Sequence, residues 1–259
     1  METSEINFRL GCDPEVFLVN SQGKHLAING YINAGKSNPL QIPDMANGFT
    51  LQEDNVALEY GIPPAASSTE FQQYITSVMV KSRDWLPAEL DFSKLSCTVF
   101  EDDQLEHPMA RVFGCEPDYC AYTKRANPKP RPKHRGMRSA GGHIHVETEQ
   151  SPIDVVKAMD LLLAVPSVLM DQGKERKQLY GKAGAFRPKP YGVEYRTLSN
   201  FWIFDPVLID WVWRNTERAL SLGTLDEEKQ QQIQTCINQD DQQLANHLVS
   251  EFNLEVIHV

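Results

Sequence analysis

The chain has 259 residues, 41% of them hydrophobic and 23% charged, with a formal net charge of −10. This composition favours a folded core over disorder, and the acidic balance argues against a broad nucleic-acid-binding protein, whose surface is usually basic. Because the longest apolar run, residues 161–166, is far shorter than the roughly 20 residues of a membrane span and the N-terminus lacks a signal-peptide pattern, a soluble, cytoplasmic protein without a membrane partner is expected.

The first half of the chain alternates strand and helix patterns. Residues 15–20 predict a strand, and residues 51–62 predict a second strand that ends before a pair of prolines. Ser67 and Glu70 form a capping-box pattern at the start of an amphipathic helix. Two short strands are predicted further on, at residues 95–100 and 109–115.

The second half continues without the regularity of βαβ units. Polar and apolar residues alternate over residues 141–148, which predicts a strand, and a helix is predicted from Ser151 with Pro152 at its first position. A strand at residues 191–202 precedes a helix capped by Asp205. The interleaved order favours an α+β fold with a mostly antiparallel sheet. We assign residues 1–223 to one domain and residues 224–259, which are helical in pattern, to a C-terminal tail packed on it.

The cysteines suggest neither a disulfide framework nor a zinc ribbon. Their number is odd, and no two of them form a C-x-x-C pair. We therefore expect reduced, structural cysteines at Cys12, Cys97, Cys115, Cys120 and Cys236.

Residues 30–37, GYINAGKS, match the G-x-x-x-x-G-K-[ST] pattern of a phosphate-binding loop. That pattern binds phosphate between a buried strand and a helix, but the preceding residues 24–29 are short and polar. Pro39 and Pro43 would interrupt the following helix, each at a cost of roughly 3 kcal/mol. A Gly- and Asn-rich loop with Lys36 as a cationic contact is predicted instead, so a P-loop nucleotide hydrolase is the least favoured hypothesis.

A second segment stands out by its charge. Seven basic residues and no acidic one lie between Lys124 and Arg138, so the segment carries +7 and, with a total of −10, the rest of the chain carries −17. Its prolines and Gly136 predict a loop. Two interpretations stay open: a solvated connection, or a basic lid that closes over phosphates.

Reactive side chains recur at positions i and i+2 of several predicted strands, which places each pair on one face. These residues are Asp13 with Glu15, His143 with His145, and Glu194 with Arg196, and Glu59 lies near the end of another strand. Any single pair also fits a half-exposed strand. If the strands lie side by side, however, the four carboxylates and two imidazoles share one sheet face, and the carboxylates repel one another unless cations neutralise them.

Hard oxygen ligands with one or two nitrogens suit Mg²⁺ or Mn²⁺ better than zinc. Such ions usually act through substrate phosphates, and the chain offers a set of cations to clamp a transferring phosphate: Arg138, Arg176, Arg187, Arg196 and Lys182.

Four segments together resemble the phage-type carboxylate-amine ligases, the COOH-NH2 ligase type 2 group, which are similar in turn to glutamine synthetase and glutamate-cysteine ligase. The segments are GCDPEVFL (11–18), DNVALEYGIPPA (54–65), RSAGGHIHV (138–146) and YGKAGAFRPKPYGVEYRTLSNFW (180–202). The resemblance covers roughly residues 8–215. It implies a mostly antiparallel sheet that forms a glutamine synthetase-like catalytic funnel with helices packed on its outer face, within the catalytic domain 1–223.

The resemblance also implies roles for individual residues. The metal ligands it implies are Asp13, Glu15, Glu59, His143 and Glu194. Together with the cationic clamp, it gives as ATP-binding residues Arg138, His145, Arg176, Lys182, Arg187 and Arg196, and as residues of the catalytic step Arg196, Arg187 and Glu59. Asp13 with Pro14 departs from the Glu-x-Glu usual in the first strand of the wider superfamily.

The activity that the resemblance implies is an ATP- and Mg²⁺-dependent ligation, with Mn²⁺ as the alternative ion, that forms an amide through an acyl phosphate. The partners would be small-molecule or peptide carboxylates and amines, not nucleic acid. A homo-oligomer is compatible with what superfamily relatives form, and the location would be the host cytoplasm if the chain is phage-encoded. Two alternatives stay open: a metal-dependent hydrolase that uses His143 and His145, and a catalytically silent nucleotide-binding protein.

Overall fold

A computed structural model describes residues 8–112 and 117–258. Cys115 and part of the predicted strand 109–115 therefore lie outside the described residues. Within those ranges the chain forms fourteen strands: β1 Arg9–Cys12, β2 Glu15–Asn20, β3 His25–Leu26, β4 Leu40–Gln41, β5 Thr50–Asp54, β6 Ala57–Gly61, β7 Leu90–Ser93, β8 Cys97–Val99, β9 Tyr119–Cys120, β10 Arg125–Ala126, β11 Met137–Ser139, β12 Ile144–Glu147, β13 Ala185–Lys189 and β14 Gly192–Tyr195.

Six α-helices accompany the strands: α1 Ser68–Ser82, α2 Pro152–Met159, α3 Val165–Met170, α4 Pro206–Leu220, α5 Glu227–Gln239 and α6 Gln242–Phe252. Helices α2 and α3 are joined by a π-helical turn, Asp160–Ala164, in which the amide of Val165 donates to the carbonyl of Asp160. Pro166 has no amide hydrogen to give to an α-helical ladder, which is one reason for the wider turn at this point. No helix of the described ranges is long and apolar enough to cross a membrane.

The strands build two main sheets and one small pair. The first sheet has the order β1-β12-β14-β13-β9-β10, and the second has the order β3-β2-β6-β5-β4, with β7 also paired to β2. Strands β11 and β8 pair separately. Every strand pairing among the described residues is antiparallel, which confirms the predicted α+β class. The reactive pairs are thus distributed over two sheets, where the sequence had suggested one.

The chain passes from the first sheet to the second at Asp13-Pro14, between β1 and β2. Facing this step, the carbonyl of His143 accepts from the amide of Asp13 at 3.4 Å, and the carbonyl of Gly141 accepts from the amide of Glu15 at 2.9 Å. We call this junction, residues 13–14 and 141–143, the seam. It places the ends of strands from both sheets next to one another.

Helices cover the first sheet on the face away from the seam's polar groups. Helix α2 packs on β13 and β14, and Val193 and Tyr195 of β14 are fully buried. Alternation along β14 therefore turns Glu194 towards the opposite face. Helices α1 and α4 pack together. Beside them, Phe71 of α1 stacks on Trp202, which precedes α4, with the ring centroids 5.9 Å apart. Burial of each such side chain stabilises the fold by roughly 2–3 kcal/mol.

The helix starts follow the sequence signals. The Ser67 hydroxyl accepts from the amide of Glu70 at 3.2 Å, and Asp205 accepts from the amide of Val207 at 2.8 Å. The tail contains two helices, and both pack on α3.

Three strand predictions need correction. The segment 51–62 is a hairpin, because Asn55 adopts a left-handed conformation with φ 56° and lets the chain reverse. Residues Pro108–Arg111 form a 3₁₀ turn that starts at a proline, where a strand had been predicted. Strand β14 ends at Tyr195, and residues Asn200–Phe204 form another 3₁₀ turn.

The predicted loop at residues 30–37 is confirmed, since no helix follows it. The amides of Gly30, Ile32 and Asn33 converge on one oxygen, Oε1 of Glu53, at 2.9, 3.0 and 2.9 Å. The glycine-rich pattern thus surrounds a carboxylate of this chain.

Candidate active site

A cavity of about 810 Å³ opens at the seam and is lined by both sheets, by part of the basic segment and by residues 179–182. All five predicted metal ligands line it, as do five of the six predicted ATP-binding residues. His145, the sixth, contacts Asp13 from the side, with Nε2 3.2 Å from Oδ1. The structure therefore brings the predicted site residues together.

One set of side chains at the seam, the first ligand group, consists of Asp13, His143 and Glu194. Each offers one ligand atom, and these atoms lie within 4.8 Å of one another. Oδ1 of Asp13 is buried and lies 3.2 Å from both Nδ1 of His143 and Nε2 of His145, but neither contact has the geometry of a good hydrogen bond. A buried oxygen in that position fits a bound cation.

The electrostatic surroundings favour the ligand forms of these groups. Burial, followed by the charge of Arg196, lowers the pKa of His143 to about 4, so its imidazole is neutral at pH 7. Burial and the charge of Asp13 oppose ionisation of Glu194, but Arg196 and Lys189 outweigh them and lower the pKa of Glu194 to about 2.

The second ligand group consists of Glu15, Asp54 and Glu59, whose ligand atoms also lie within 4.8 Å of one another. Glu15 of β2 and Glu59 of β6 are direct partners across the ladder. Asp54 was not predicted as a ligand. It reaches the same face because the β5–β6 hairpin pairs Gln52 with Glu59, and Asp54 is two residues from Gln52.

Burial and neighbouring carboxylates destabilise the charged forms of Glu15 and Glu59 in the second group. Burial, followed by the charge of Asp54, raises the pKa of Glu15 to about 7. Burial, followed by the charges of Asp13 and Asp54, raises the pKa of Glu59 well above its usual range. Carboxylates arranged in this way ionise together near pH 7 only when a bound cation neutralises part of their charge.

The donor set fits hard divalent ions better than zinc. The two groups offer five carboxylates and one imidazole, which is the chemistry of Mg²⁺ or Mn²⁺ sites. His145 belongs to neither group, and its Nδ1 lies 2.5 Å from the hydroxyl of Tyr191. Within residues 8–112 and 117–258, the two-histidine zinc site of the hydrolase alternative is therefore not assembled.

Three cations, which we call the cationic belt, surround the fully buried Glu194. They are Arg187, Lys189 and Arg196. Lys189 lies 2.7 Å and Arg187 3.3 Å from the Glu194 carboxylate, and Arg196 forms an ion pair with the same group. The belt is therefore fixed beside the first ligand group, where phosphate oxygens would approach a bound ion.

Arg138 and Arg176 line the cavity, but their guanidinium groups donate several hydrogen bonds to main-chain carbonyl oxygens. Arg176 donates to the carbonyls of Ala140 and Thr197 at 3.0 and 2.9 Å. Arg138 donates to the carbonyls of Ala110 and Arg135 at 2.6 and 2.9 Å. Both residues tie loops at the cavity wall, a role that the sequence pattern did not indicate.

Other residues of the cavity were missed by the sequence analysis. Besides Asp54, these are Asp118, Tyr180 and Lys189. Asp118 lies 3.7 Å from Nε of Arg196 and belongs to neither ligand group. Lys189 follows Arg187 at i+2 on β13, so the alternation rule that found the other pairs would have found it too.

Asp160, in the π-helical turn, fixes the chain segment that carries Glu194 and Arg196 through hydrogen bonds. Its carboxylate is fully buried and accepts from the amide of Gly184 at 2.6 Å, the hydroxyl of Tyr195 at 2.8 Å and the hydroxyl of Thr197 at 3.1 Å. Tyr195 and Thr197 flank Arg196 in sequence. Asp160 is thus a positioning residue for the site.

We expect Asp160→Ala to lower the free energy of unfolding by at least about 3 kcal/mol, because it leaves several buried donors without an acceptor. Urea unfolding followed by circular dichroism measures this change. Asp154→Ala, at an exposed position near the start of α2, is the control and should cost less than about 1 kcal/mol. Equal effects of the two substitutions would contradict the positioning role.

The raised pKa of Glu15 predicts how pH changes the response to Mg²⁺. Near pH 6 the folded protein without cations holds a proton on Glu15 that the unfolded chain has lost, so stability falls as pH rises through about 7. An ion bound at the second ligand group displaces that proton. The rise in melting temperature caused by Mg²⁺ should therefore be larger at pH 8 than at pH 6, with NaCl of equal ionic strength as the control. A larger rise at pH 6 would contradict the prediction.

The fold and the site together define a class: antiparallel-sheet proteins that collect two acidic ligand groups and a cationic belt in one cavity. Residues 133–245 of the chain match the family model described as phage phiEco32-like COOH.NH2 ligase-type 2. This match covers less than half of the chain and supports the resemblance found in the sequence motifs. The matched residues include His143, Asp160 and Glu194, whereas Asp13 and the second ligand group precede them. A comparison with curated proteins gives no match.

Proposed function

We propose that this protein is an ATP- and Mg²⁺-dependent ligase that forms an amide from a carboxylate and an amine through an acyl phosphate. The observation that carries the proposal is the meeting of two ligand groups and the cationic belt in one cavity. The family description, a COOH.NH2 ligase, supports the overall reaction. The two antiparallel sheets around the cavity support a funnel of the glutamine synthetase kind.

The first ligand group would hold one ion and the second group another. Divalent ions, when bound, would neutralise the triphosphate and make its terminal phosphoryl group easier to transfer. Arg187, Lys189 and Arg196 would bind oxygens of the transferring group, because they already converge on one buried carboxylate. Lys182, exposed at the cavity, would be a further phosphate contact.

In the reaction, an oxygen of the substrate carboxylate attacks the terminal phosphorus of ATP, and ADP leaves. The amine nitrogen then attacks the carbonyl carbon of the acyl phosphate, phosphate leaves, and the nitrogen loses a proton to give the amide. Asp118 is the cavity carboxylate outside both ligand groups, and it would attract the ammonium form of the amine beside Arg196. No covalent enzyme intermediate is required.

The test is a mass-spectrometric screen of acid and amine pairs with ATP, run with an ADP-release assay. A ligase gives ADP and a product lighter by one water than its two substrates, and only with Mg²⁺ or Mn²⁺ present. Hydrolysis without ATP, supported by zinc, would contradict the proposal in favour of a metallohydrolase. Failure to bind ATP with Mg²⁺ would overturn it as well.

Within that assay, Arg196→Gln should reduce the rate of ADP release by roughly 100-fold or more, since it removes a cation placed to bind the transferring phosphate. Arg214→Gln is the matched control, because Arg214 pairs with Asp210 and Glu255 and none of the three lines the cavity. It should leave the rate within about twofold of the parent protein. Equal rates for both variants would remove Arg196 from the mechanism.

A further inference from the structure

Most of the positive charge of the basic segment, residues 124–138, lies on exposed side chains. Six of its cations, in residues 124–135, are exposed: Lys124, Arg125, Lys129, Arg131, Lys133 and Arg135. None of the six forms an ion pair within residues 8–112 and 117–258, although the protein has a net charge of −10. We call residues 124–135 the basic loop.

The basic loop reaches the cavity with only one part of its length. Its residues Asn127, Pro128, Lys129, Pro130 and Arg131 line the cavity, while Lys133 and Arg135 do not. The carbonyl of Arg135 accepts from Arg138, whose other bonds fix the end of the loop to the protein. Lys129 and Arg131 are thus the exposed cations of the basic loop that line the cavity, and we call them the rim of the site.

The side chains that line the cavity carry more positive charge than ATP and its bound metal ions would neutralise. Its lining contains nine Lys or Arg and six Asp or Glu side chains, a formal surplus of +3. Two divalent ions and the roughly four negative charges of ATP cancel each other, so the surplus persists in the loaded site. A substrate with one carboxylate balances only part of it.

The rim cations and the cationic belt differ in exposure, since Lys129 and Arg131 are exposed and the three belt residues are partly buried. The belt surrounds Glu194, which is fully buried beside the first ligand group, and it would take the transferring phosphate. Lys129 and Arg131 are exposed on a loop. Cations at an exposed rim fit the part of a substrate that extends out of the cavity.

We propose that the acid substrate is a polyanion, in which at least one phosphate or carboxylate group besides the reacting carboxylate binds Lys129 and Arg131. This inference rests on the proposed ligase function. Arg131 presents a planar donor pair suited to phosphate or carboxylate oxygens, and Lys129 adds a second charge. The group can belong to a small multivalent acid or to a longer anionic molecule.

The first experiment compares acids that differ in their number of anionic groups, with the same amine and saturating ATP. Butyrate is compared with succinate and tricarballylate, and glycolate with phosphoglycolate. Release of ADP should be at least about 10-fold faster with the polyanionic members of each set than with its monoanion. Because exposed charges are screened by salt, KM for the polyanion should rise with ionic strength, while KM for the monoanion should change little.

The second experiment removes charge from the rim or from a neighbouring part of the same loop. K129S/R131S should raise KM for the polyanionic acid at least about 10-fold and leave KM for ATP within about twofold. K133S/R135S removes the same charge from residues that do not line the cavity, and both KM values should stay within about twofold. A larger effect on KM for ATP in K129S/R131S, or the same effect of both double variants on the acid, would overturn the inference.

The two proposals can fail separately. Equal ADP release from the members of each acid set would overturn the polyanionic substrate and leave the ligase function intact. If no acid releases ADP, the ligase function fails and the inference fails with it. Preference for a long anionic molecule over phosphoglycolate and tricarballylate would support the inference and show that the additional anionic group belongs to the longer molecule.

Discussion

Replacement of Glu194 by Gln is expected to lower the free energy of unfolding by roughly 3–5 kcal/mol, because it removes the negative partner that three partly buried cations share. Glu194 is fully buried, and the cationic belt converges on it. Glutamine has nearly the same shape, so the change isolates the charge. The melting temperature should fall by about 10 °C.

The same substitution should abolish Mg²⁺-dependent ADP release, since Glu194 is also a member of the first ligand group. Differential scanning calorimetry with and without Mg²⁺ separates the two effects: the variant should lose stability in both conditions and respond less to the ion. Glu251→Gln, which removes a partly exposed partner of Lys229, is the control and should cost at most about 1 kcal/mol. A variant that melts and turns over like the parent protein would contradict both roles.

Much of the site was predictable because strand alternation is a strong geometric rule. Any two residues at i and i+2 of a strand share a face, so His143 with His145 and Glu194 with Arg196 could be assigned to faces without knowledge of the sheet. Buried apolar neighbours such as Val193 and Tyr195 then fix which face is polar. Strand β2, Glu15–Asn20, was predicted with the observed bounds, whereas β1, Arg9–Cys12, was not predicted.

The pairing of distant strands was not predictable in the same way. Asp54 joins the second ligand group only because Asn55 reverses the chain, and the sequence there also fits one continuous strand. The junction at Asp13-Pro14, where the chain changes sheets, depends on contacts with residues 141–143, far along the sequence. Local patterns carry little information about such long-range contacts.

The arginines show a further limit of the sequence pattern. Arg138 and Arg196 look alike as cations near predicted strands, yet the first ties loop carbonyls and the second pairs with Glu194. Which role a guanidinium takes depends on the acceptors that the fold brings to it. Asp160 was missed for a similar reason, since a buried carboxylate within an apolar helix has no local signature of its partners.

The neighbouring residues Glu53 and Asp54 are predicted to respond in opposite ways to removal of their charge. They lie on opposite faces of β5, so one reaches the glycine-rich loop and the other the second ligand group. Glu53→Gln weakens an anionic acceptor for three amides and should lower the free energy of unfolding by roughly 1.5–3 kcal/mol. Mg²⁺ affinity, measured by calorimetric titration, should stay within about twofold of the parent protein.

Asp54→Asn should instead lower Mg²⁺ affinity by at least about 10-fold, since it takes one of three carboxylates from the second ligand group. Without Mg²⁺ at pH 8, the same change should leave the melting temperature unchanged or raise it, because the charge of Asp54 raises the pKa of both Glu15 and Glu59. The two variants are controls for each other, as they remove one charge from adjacent positions. If Asp54→Asn destabilises the metal-free protein and Glu53→Gln weakens Mg²⁺ binding, the second ligand group is not a cation site.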